Sequence, residues 1–222
     1  MTIPMPFYSG PEEKQVRTKI ILAVMLTACL ILSNVTASKI VNMGSWQIDG
    51  GSLFFPLTYI ICDLLSELYG FWATRIIIFV SMLANILVML GLYASIYLPP
   101  ADDIWPYQEG YAGIFGLSPR IFIASMLSYL FGELLNSYTL SRLKITLRGR
   151  WLPLRALFST FLGASIDSFL FCSIAFYKVF PLTSLLEMGA VQVVIKVSCE
   201  ICCLPLMLIL LSYLRKPVKK FA

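Results

Sequence analysis

Asp63 and Glu67 stand one helical turn apart in FFPLTYIICDLLSELYGF, residues 54–71, a stretch otherwise apolar and free of basic residues. Carboxylates in such surroundings can accept hydrogen bonds from a ligand, carry protons, or balance a cation. Similar residues recur along the chain. Glu133 lies in a later apolar run and Asp167 near the centre of the next. Gln192, Lys196 and Glu200 follow in the last run at i, i+4 and i+8, which sets them on one helical face. Asn34, Asn85 and Asn136 add uncharged donors and acceptors.

A charge near the centre of a bilayer is unfavourable by about 2.5–3.5 kcal/mol on insertion scales, so such residues face a bundle interior or a wet cavity. Five acids stand here against one lysine. Lys196 can neutralise Glu200 within its own helix or Asp167 on a neighbour. The remaining acids must hold protons, reach the headgroups or await a ligand that donates hydrogen bonds. Glu67, near one end of its run, has water within reach as an alternative; Asp63 and Asp167 lie deeper.

A carboxylate accepts two parallel N–H bonds from a planar fork, as in guanidinium pairs. A guanine-like base presents that fork on its ring N–H and exocyclic amine. Asn, Gln or Lys can serve its carbonyl, and Phe55, Tyr59, Phe169 or Phe171 can stack on its faces. An organic cation or a proton relay suits the same acids, so the residues alone leave all three open.

These side chains need helices to position them. Of the 222 residues, 59% are hydrophobic and 13% charged, with a mean hydropathy of +0.83, which excludes an ordinary soluble domain. Several runs approach the roughly 20 apolar residues that span a bilayer, and the alternation of a membrane β-barrel is absent. The expectation is an all-α integral membrane protein with six spans, at about 19–40, 53–69, 74–98, 119–140, 155–178 and 188–213. Residues 1–18 form a cytoplasmic N-terminal segment, 19–213 the membrane domain and 214–222 a basic cytoplasmic tail. The bases of the N-terminal segment, of SRLKITLRGRWLPLR and of RKPVKKFA fall on one side with Arg75; Lys39, Arg120 and Lys178 fall on the other. The positive-inside rule then puts both termini in the cytoplasm. The net charge of +5 is this loop bias and implies no direct binding of nucleic acid. NVTASK at the end of the first span and NSYTLSR at the end of the fourth hint at an inverted repeat of three spans plus three, a transporter architecture with a midplane site. The cysteines, Cys199-x-x-Cys202 included, read as packing residues, because the chain has no histidine and no second CxxC.

FPLTYIICDLLSELYG with the Asp49-Gly50-Gly51 before it, LGASIDSFLF, QVVIKVSCEICCLPL and SNVTASKIV together resemble the queuosine precursor transporter family, also described as a vitamin uptake family. The resemblance covers about residues 20–215. It implies a six-helix, multi-pass transporter of the bacterial inner membrane. Its substrates are 7-deazaguanine bases, queuine or its cyano and aminomethyl precursors, salvaged for queuosine in tRNA. The partners are then a nucleobase-like small molecule and the lipid bilayer, with room for a homo-oligomer, and no cofactor is implied. Asp63 and Glu67, Asp167, and Gln192 with Lys196 match the family's polar positions. Glu133 and Asn136 stand where the family carries Gln and then Asp, an exchange of amide and carboxylate.

Three other functions compete. A substrate-binding subunit of an ATP-driven vitamin importer fits the size and helix count; the chain has no P-loop, so ATP would need a partner. An intramembrane aspartyl enzyme would use Asp63 and Asp167, yet no Gly-x-Gly-Asp element is present. A purely structural subunit would pair its acids between helices, which the excess of acids over lysine opposes.

Overall fold

The computed structural model describes residues 11–36, 39–43, 46–101, 104–116, 119–178 and 181–214. Seven helices run through them: α1 (Pro11–Thr36), α2 (Phe55–Tyr69), α3 (Phe71–Ile96), α4 (Gln108–Phe115), α5 (Pro119–Thr146), α6 (Leu152–Phe176) and α7 (Leu182–Leu214). Each of the six expected spans coincides with a helix. Four of these, α1, α3, α6 and α7, are long and apolar enough to cross a membrane. α2 has 15 residues, about 22 Å at 1.5 Å per residue, shorter than the ~30 Å hydrocarbon core. α5 has the length but carries a polar face of Ser128, Glu133, Asn136 and Ser137. α2 is enclosed by the other helices, where its shortness and polarity are tolerated, and α5 turns its polar face inward while Ile123, Leu127 and Phe131 face out.

The boundaries differ from the sequence reading where local chemistry overrides apolar length. α1 begins at Pro11, a residue suited to a first turn, so the polar stretch through Arg17 is already helical. It ends at Thr36. An antiparallel pair, β1 (Ile40–Met43) and β2 (Trp46–Asp49), follows in place of a simple bend, with Ile40 opposite Asp49 and Met43 opposite Trp46. The fold is therefore helical with one short hairpin. Gly50 closes that hairpin by donating its N–H to the Lys39 carbonyl at 2.7 Å, and a 3₁₀ turn at Gly50–Leu53 leads into α2. α4 lies in the expected long loop, tied to α3 by Gln108 Nε2 donating to the Ile96 carbonyl (2.7 Å) and by the Ser95 and Tyr111 hydroxyls (2.7 Å). Gly70, at φ 78°, is the hinge between α2 and α3; the left-handed backbone there favours glycine. Residues 1–10 and all but Leu214 of the expected basic tail lie outside the described residues.

α2 is the central strut. Its Ile60, Ile61, Leu64 and Leu65 pack with Leu22, Leu26 and Leu30 of α1, Ile77 and Ile78 of α3, and Met207 and Leu211 of α7. Large apolar residues such as Val80, Leu83 and Leu87 of α3 point outward, as a lipid-facing surface requires. Lipid is as apolar as leucine, so close packing and interhelical polar contacts hold such helices together. The tightest crossing joins α5 and α6: a Cβ on Gly132 would stand 2.6 Å from Asp167 Cβ, and one on Gly163 2.8 Å from Asn136 Cβ. These two glycines bring Asp167 and Asn136 against the opposing backbones. Gly189 does the same for α7, where a Cβ would meet the Phe169 ring at 2.6 Å.

Candidate functional site

α2 and α5 run parallel, and α6 runs antiparallel to both. The polar residues of α2, α5, α6 and α7 consequently meet in successive levels along the bundle.

At the first level, Asp167 Oδ2 contacts the Lys196 ammonium and accepts a hydrogen bond from the Tyr59 hydroxyl at 3.3 Å. Lys196 also donates to Ser168 Oγ (3.1 Å) and stands 5.0 Å from the centroid of the Phe55 ring. Phe55 in turn meets Tyr59 at 5.9 Å and Tyr129, edge-on, at 5.8 Å, so three aromatic rings cluster beside the pair. Glu133, one turn beyond Tyr129 on α5, is fully buried, and no nitrogen or oxygen donor reaches either of its carboxyl oxygens. Its polar neighbour is the weakly donating Cys62 thiol. The Tyr129 hydroxyl is also without an oxygen or nitrogen partner.

At the second level, Asn136 Nδ2 donates to Asp63 Oδ1 at 2.9 Å. Asp63 Oδ2, Asn136 Oδ1 and both carboxyl oxygens of Glu200 receive no amide, hydroxyl or cationic donor, although Asp63 is 1% and Glu200 1% exposed, and the Asp63 and Glu200 carboxyl groups lie within hydrogen-bonding reach of each other. Glu200 and Asp63 are neighbours across the α2–α7 interface. The third level is a neutral contact, the Ser66 and Ser137 hydroxyls 2.6 Å apart.

At the fourth level, Arg155 of α6, with no exposed side-chain surface, grips Glu67 in a two-pronged pair, Nη1–Oε2 3.0 Å and Nη2–Oε1 3.4 Å. Lys144 adds an ion pair at 3.5 Å and a bond to the Glu67 carbonyl. Glu67 does not reach water in this arrangement; its charge is met inside the bundle.

The structure thus brings Asp63, Glu67, Glu133, Asn136, Asp167 and Lys196 into one column. Gln192 lies half-buried one turn before Lys196 on α7. Asn34 and Asn85 belong to a separate group of contacts. Asn34 donates to the Leu30 carbonyl (3.0 Å) and accepts from Ser125 (3.1 Å). Asn85 Nδ2 lies 3.2 Å from the Met126 sulfur. Of the aromatics considered for stacking, Phe55 and Tyr59 are at the column, whereas Phe169 packs on Gly189 and Phe171 on Phe176 at 6.0 Å. Sequence reasoning missed Tyr129 and Arg155 as members of the column and gave Glu200 as part of a stripe and a partner for Lys196, not as a site residue. The signal for Tyr129 was its place four residues before Glu133. For Arg155 it was antiparallel geometry, because a base in the first turn of α6 falls beside the last turn of α2.

Chemically the column is short of cations. Asp167 and Glu67 each have a base, whereas Asp63, Glu133 and Glu200 have none among the described residues. Five of their six carboxyl oxygens receive no amide, hydroxyl or cationic donor, these being Asp63 Oδ2 and both oxygens of Glu133 and Glu200. Buried polar atoms without partners are rare in native proteins and call for an explanation. No cluster of three or more His, Cys, Asp or Glu residues able to hold a metal occurs among the described residues.

Comparison with known proteins supplies the context. Residues 49–210, which include α2 to α6 and most of α7, match the family described as "Putative vitamin uptake transporter". A Bacillus subtilis (strain 168) protein named "Probable queuosine precursor transporter" is 27% identical over 188 residues, 83% of this chain and 80% of that protein. A Haemophilus influenzae protein of the same name (strain ATCC 51907 / DSM 11121 / KW20 / Rd) is 30% identical over 149 residues, 67% of this chain and 60% of its own length. No solved structure matches. The chain belongs to the vitamin uptake transporter family and is a multi-pass membrane transporter.

Proposed function

We propose that this protein imports a queuosine precursor, a 7-deazaguanine base, through a site formed by α2, α5, α6 and α7. The observation that carries the proposal is the row of buried carboxyl oxygens on Asp63, Glu133 and Glu200 that lack donors. A planar base with a ring N–H and an adjacent amine offers them two parallel donors. Asp63, already oriented by Asn136, is the carboxylate we assign to that fork, with Glu133 as its neighbour on the aromatic side. The free Asn136 Oδ1 and the Tyr129 hydroxyl can take up the remaining polar edge of the base. Phe55, Tyr59 and Tyr129 form the apolar wall against which a flat ring packs. The Asp167–Lys196 pair borders the site on one side, with Gln192 one turn further along α7. The Glu67–Arg155 pair closes it on the other. Asn34 and Asn85, engaged in their separate contacts, are not assigned to the base. The names of the two relatives support the substrate class.

The same reading takes six crossings, both termini cytoplasmic, and two groups of three helices, α1–α3 and α5–α7, in inverted orientation. α2 and α6 are then corresponding middle helices, and Asp63 and Asp167 their corresponding acids. The test is uptake. Asp63→Asn keeps the shape of the side chain but replaces an acceptor oxygen with an amide NH2 that only donates, so it should abolish import while the protein remains inserted. Normal import by this variant would remove Asp63 from the binding role.

A further inference from the structure

The turn between α5 and α6 carries charge that the buried column does not use. From Glu133 to Asp167 the chain contains no other acid, but five bases, Arg142, Lys144, Arg148, Arg150 and Arg155. Three of them are engaged. Arg155 and Lys144 hold Glu67, and Arg142 Nε donates to the Tyr138 hydroxyl at 3.0 Å. Arg148 and Arg150 are exposed and form no ion pair among the described residues.

The turn has a defined shape. Arg148, Gly149 and Trp151 adopt left-handed backbone angles, φ 49°, 75° and 56°, uncommon for the two residues that are not glycine. The buried Arg155 holds the turn by donating to the Arg150 carbonyl at 2.9 Å and the Gly149 carbonyl at 3.3 Å. Thr146, Leu147, Arg148, Arg150 and Trp151 line a recess of about 360 Å³. Trp151 is 70% exposed, and Leu154, Phe158 and Phe161 continue from it as an exposed apolar stripe at helical spacing along α6. α6 is long and apolar enough to cross the membrane, so this stripe meets acyl chains. Trp151 then lies at the headgroup level where tryptophan concentrates, and the two free guanidinium groups lie at the depth of the lipid phosphates.

We propose that this recess binds the headgroup of an anionic phospholipid. Its phosphate sits between Arg148 and Arg150, its glycerol region against Trp151, and one acyl chain along Leu154, Phe158 and Phe161. The bidentate preference of guanidinium for phosphate favours this ligand, and the neighbouring acid, Glu67, is already matched by Arg155 and Lys144. The attached stripe distinguishes a lipid from a free phosphate ion. The recess shares no lining residue with the base-binding site, and Arg155 is the contact between the two.

The test uses the full-length protein in detergent at limiting lipid, with bound lipid counted by native mass spectrometry. Phosphatidylglycerol should be retained in preference to phosphatidylethanolamine. Arg148→Gln with Arg150→Gln should lower its retention about tenfold to thirtyfold, as two juxtamembrane bases contribute at an anionic surface. Arg148→Lys with Arg150→Lys should recover most of the loss, which separates charge from folding. Trp151→Ala should weaken retention with little change in its salt dependence. Equal retention of the two lipids, or undiminished phosphatidylglycerol binding in the double glutamine variant, would overturn the proposal. Displacement of the lipid by millimolar inorganic phosphate would overturn it too, by showing a simple anion site.

Discussion

Replacing Arg155 by Met provides the sharpest test of how the bundle is held. The guanidinium has no exposed surface, and it faces Glu67 through two contacts of 3.0 and 3.4 Å. Removing one partner of a buried pair typically destabilises by about 3–5 kcal/mol, because the other charge stays buried alone. Here Lys144, 3.5 Å from Glu67 and 37% exposed, retains part of the attraction, so the lower end, about 3 kcal/mol, applies. At roughly 2–4 °C per kcal/mol for a chain of this size, the melting temperature should fall by about 6–12 °C. Glu67→Leu should fall comparably, leaving Arg155 without its carboxylate. The double variant, Glu67→Leu with Arg155→Met, replaces the pair with apolar groups and should recover most of the loss. The assay is thermal unfolding of the detergent-purified protein, followed by fluorescence-detected size exclusion. Single variants within 2 °C of the parent, or a double variant showing the sum of both losses, would refute the idea that Glu67 and Arg155 form one energetic unit.

Two further outcomes follow from the packing and the ion pairs. Gly132→Leu should destabilise the α5–α6 crossing by about 1–3 kcal/mol, the usual range for overpacking, since even a Cβ would stand 2.6 Å from that of Asp167; the same change at Gly91, whose Cβ would meet nothing within 4 Å, should be tolerated in the same thermal assay. Lys196→Met leaves Asp167 with only the Tyr59 hydroxyl, so it should melt below the parent, and combining it with Asp167→Asn should bring the melting point back toward the parent, whereas combining it with Glu200→Gln should not.

The composition of the chain made its class legible, and the burial of its acids followed from the same fact. A chain this apolar places Asp63, Glu133 and Asp167 inside a bundle, and the structure buries all three to 3% exposure or less. Lys196 had two partners on offer, Glu200 and Asp167; geometry chose Asp167 on the neighbouring helix. The Glu67–Arg155 pair was not legible, because 88 residues separate its members and Arg155 reads as one more base in a basic loop. Only the antiparallel setting of α2 and α6 brings them together. The β1–β2 hairpin and α4 were equally hidden. Strands of four residues and a helix of eight give little periodic signal, and α4 is secured by contacts from Gln108 and Tyr111 to α3 rather than by its own pattern. The two glycines at the α5–α6 crossing look ordinary in sequence and acquire meaning only when a backbone lies opposite them.

The central claim is that buried, donor-free carboxylates receive a deazaguanine base during import. Its most direct test uses bacterial cells unable to make or import queuosine precursors. These cells would express this chain or its Asp63→Asn or Glu133→Gln variant at matched membrane levels and be supplied with queuine or each precursor at low concentration. The enzymes needed to use each base would be present, and queuosine would then be measured in tRNA. The account predicts queuosine with the parent chain and none with Asp63→Asn, with Glu133→Gln strongly reduced. Queuosine at parental levels in both variants would contradict the assignment of the site, and none for any base with the inserted parent chain would contradict the substrate.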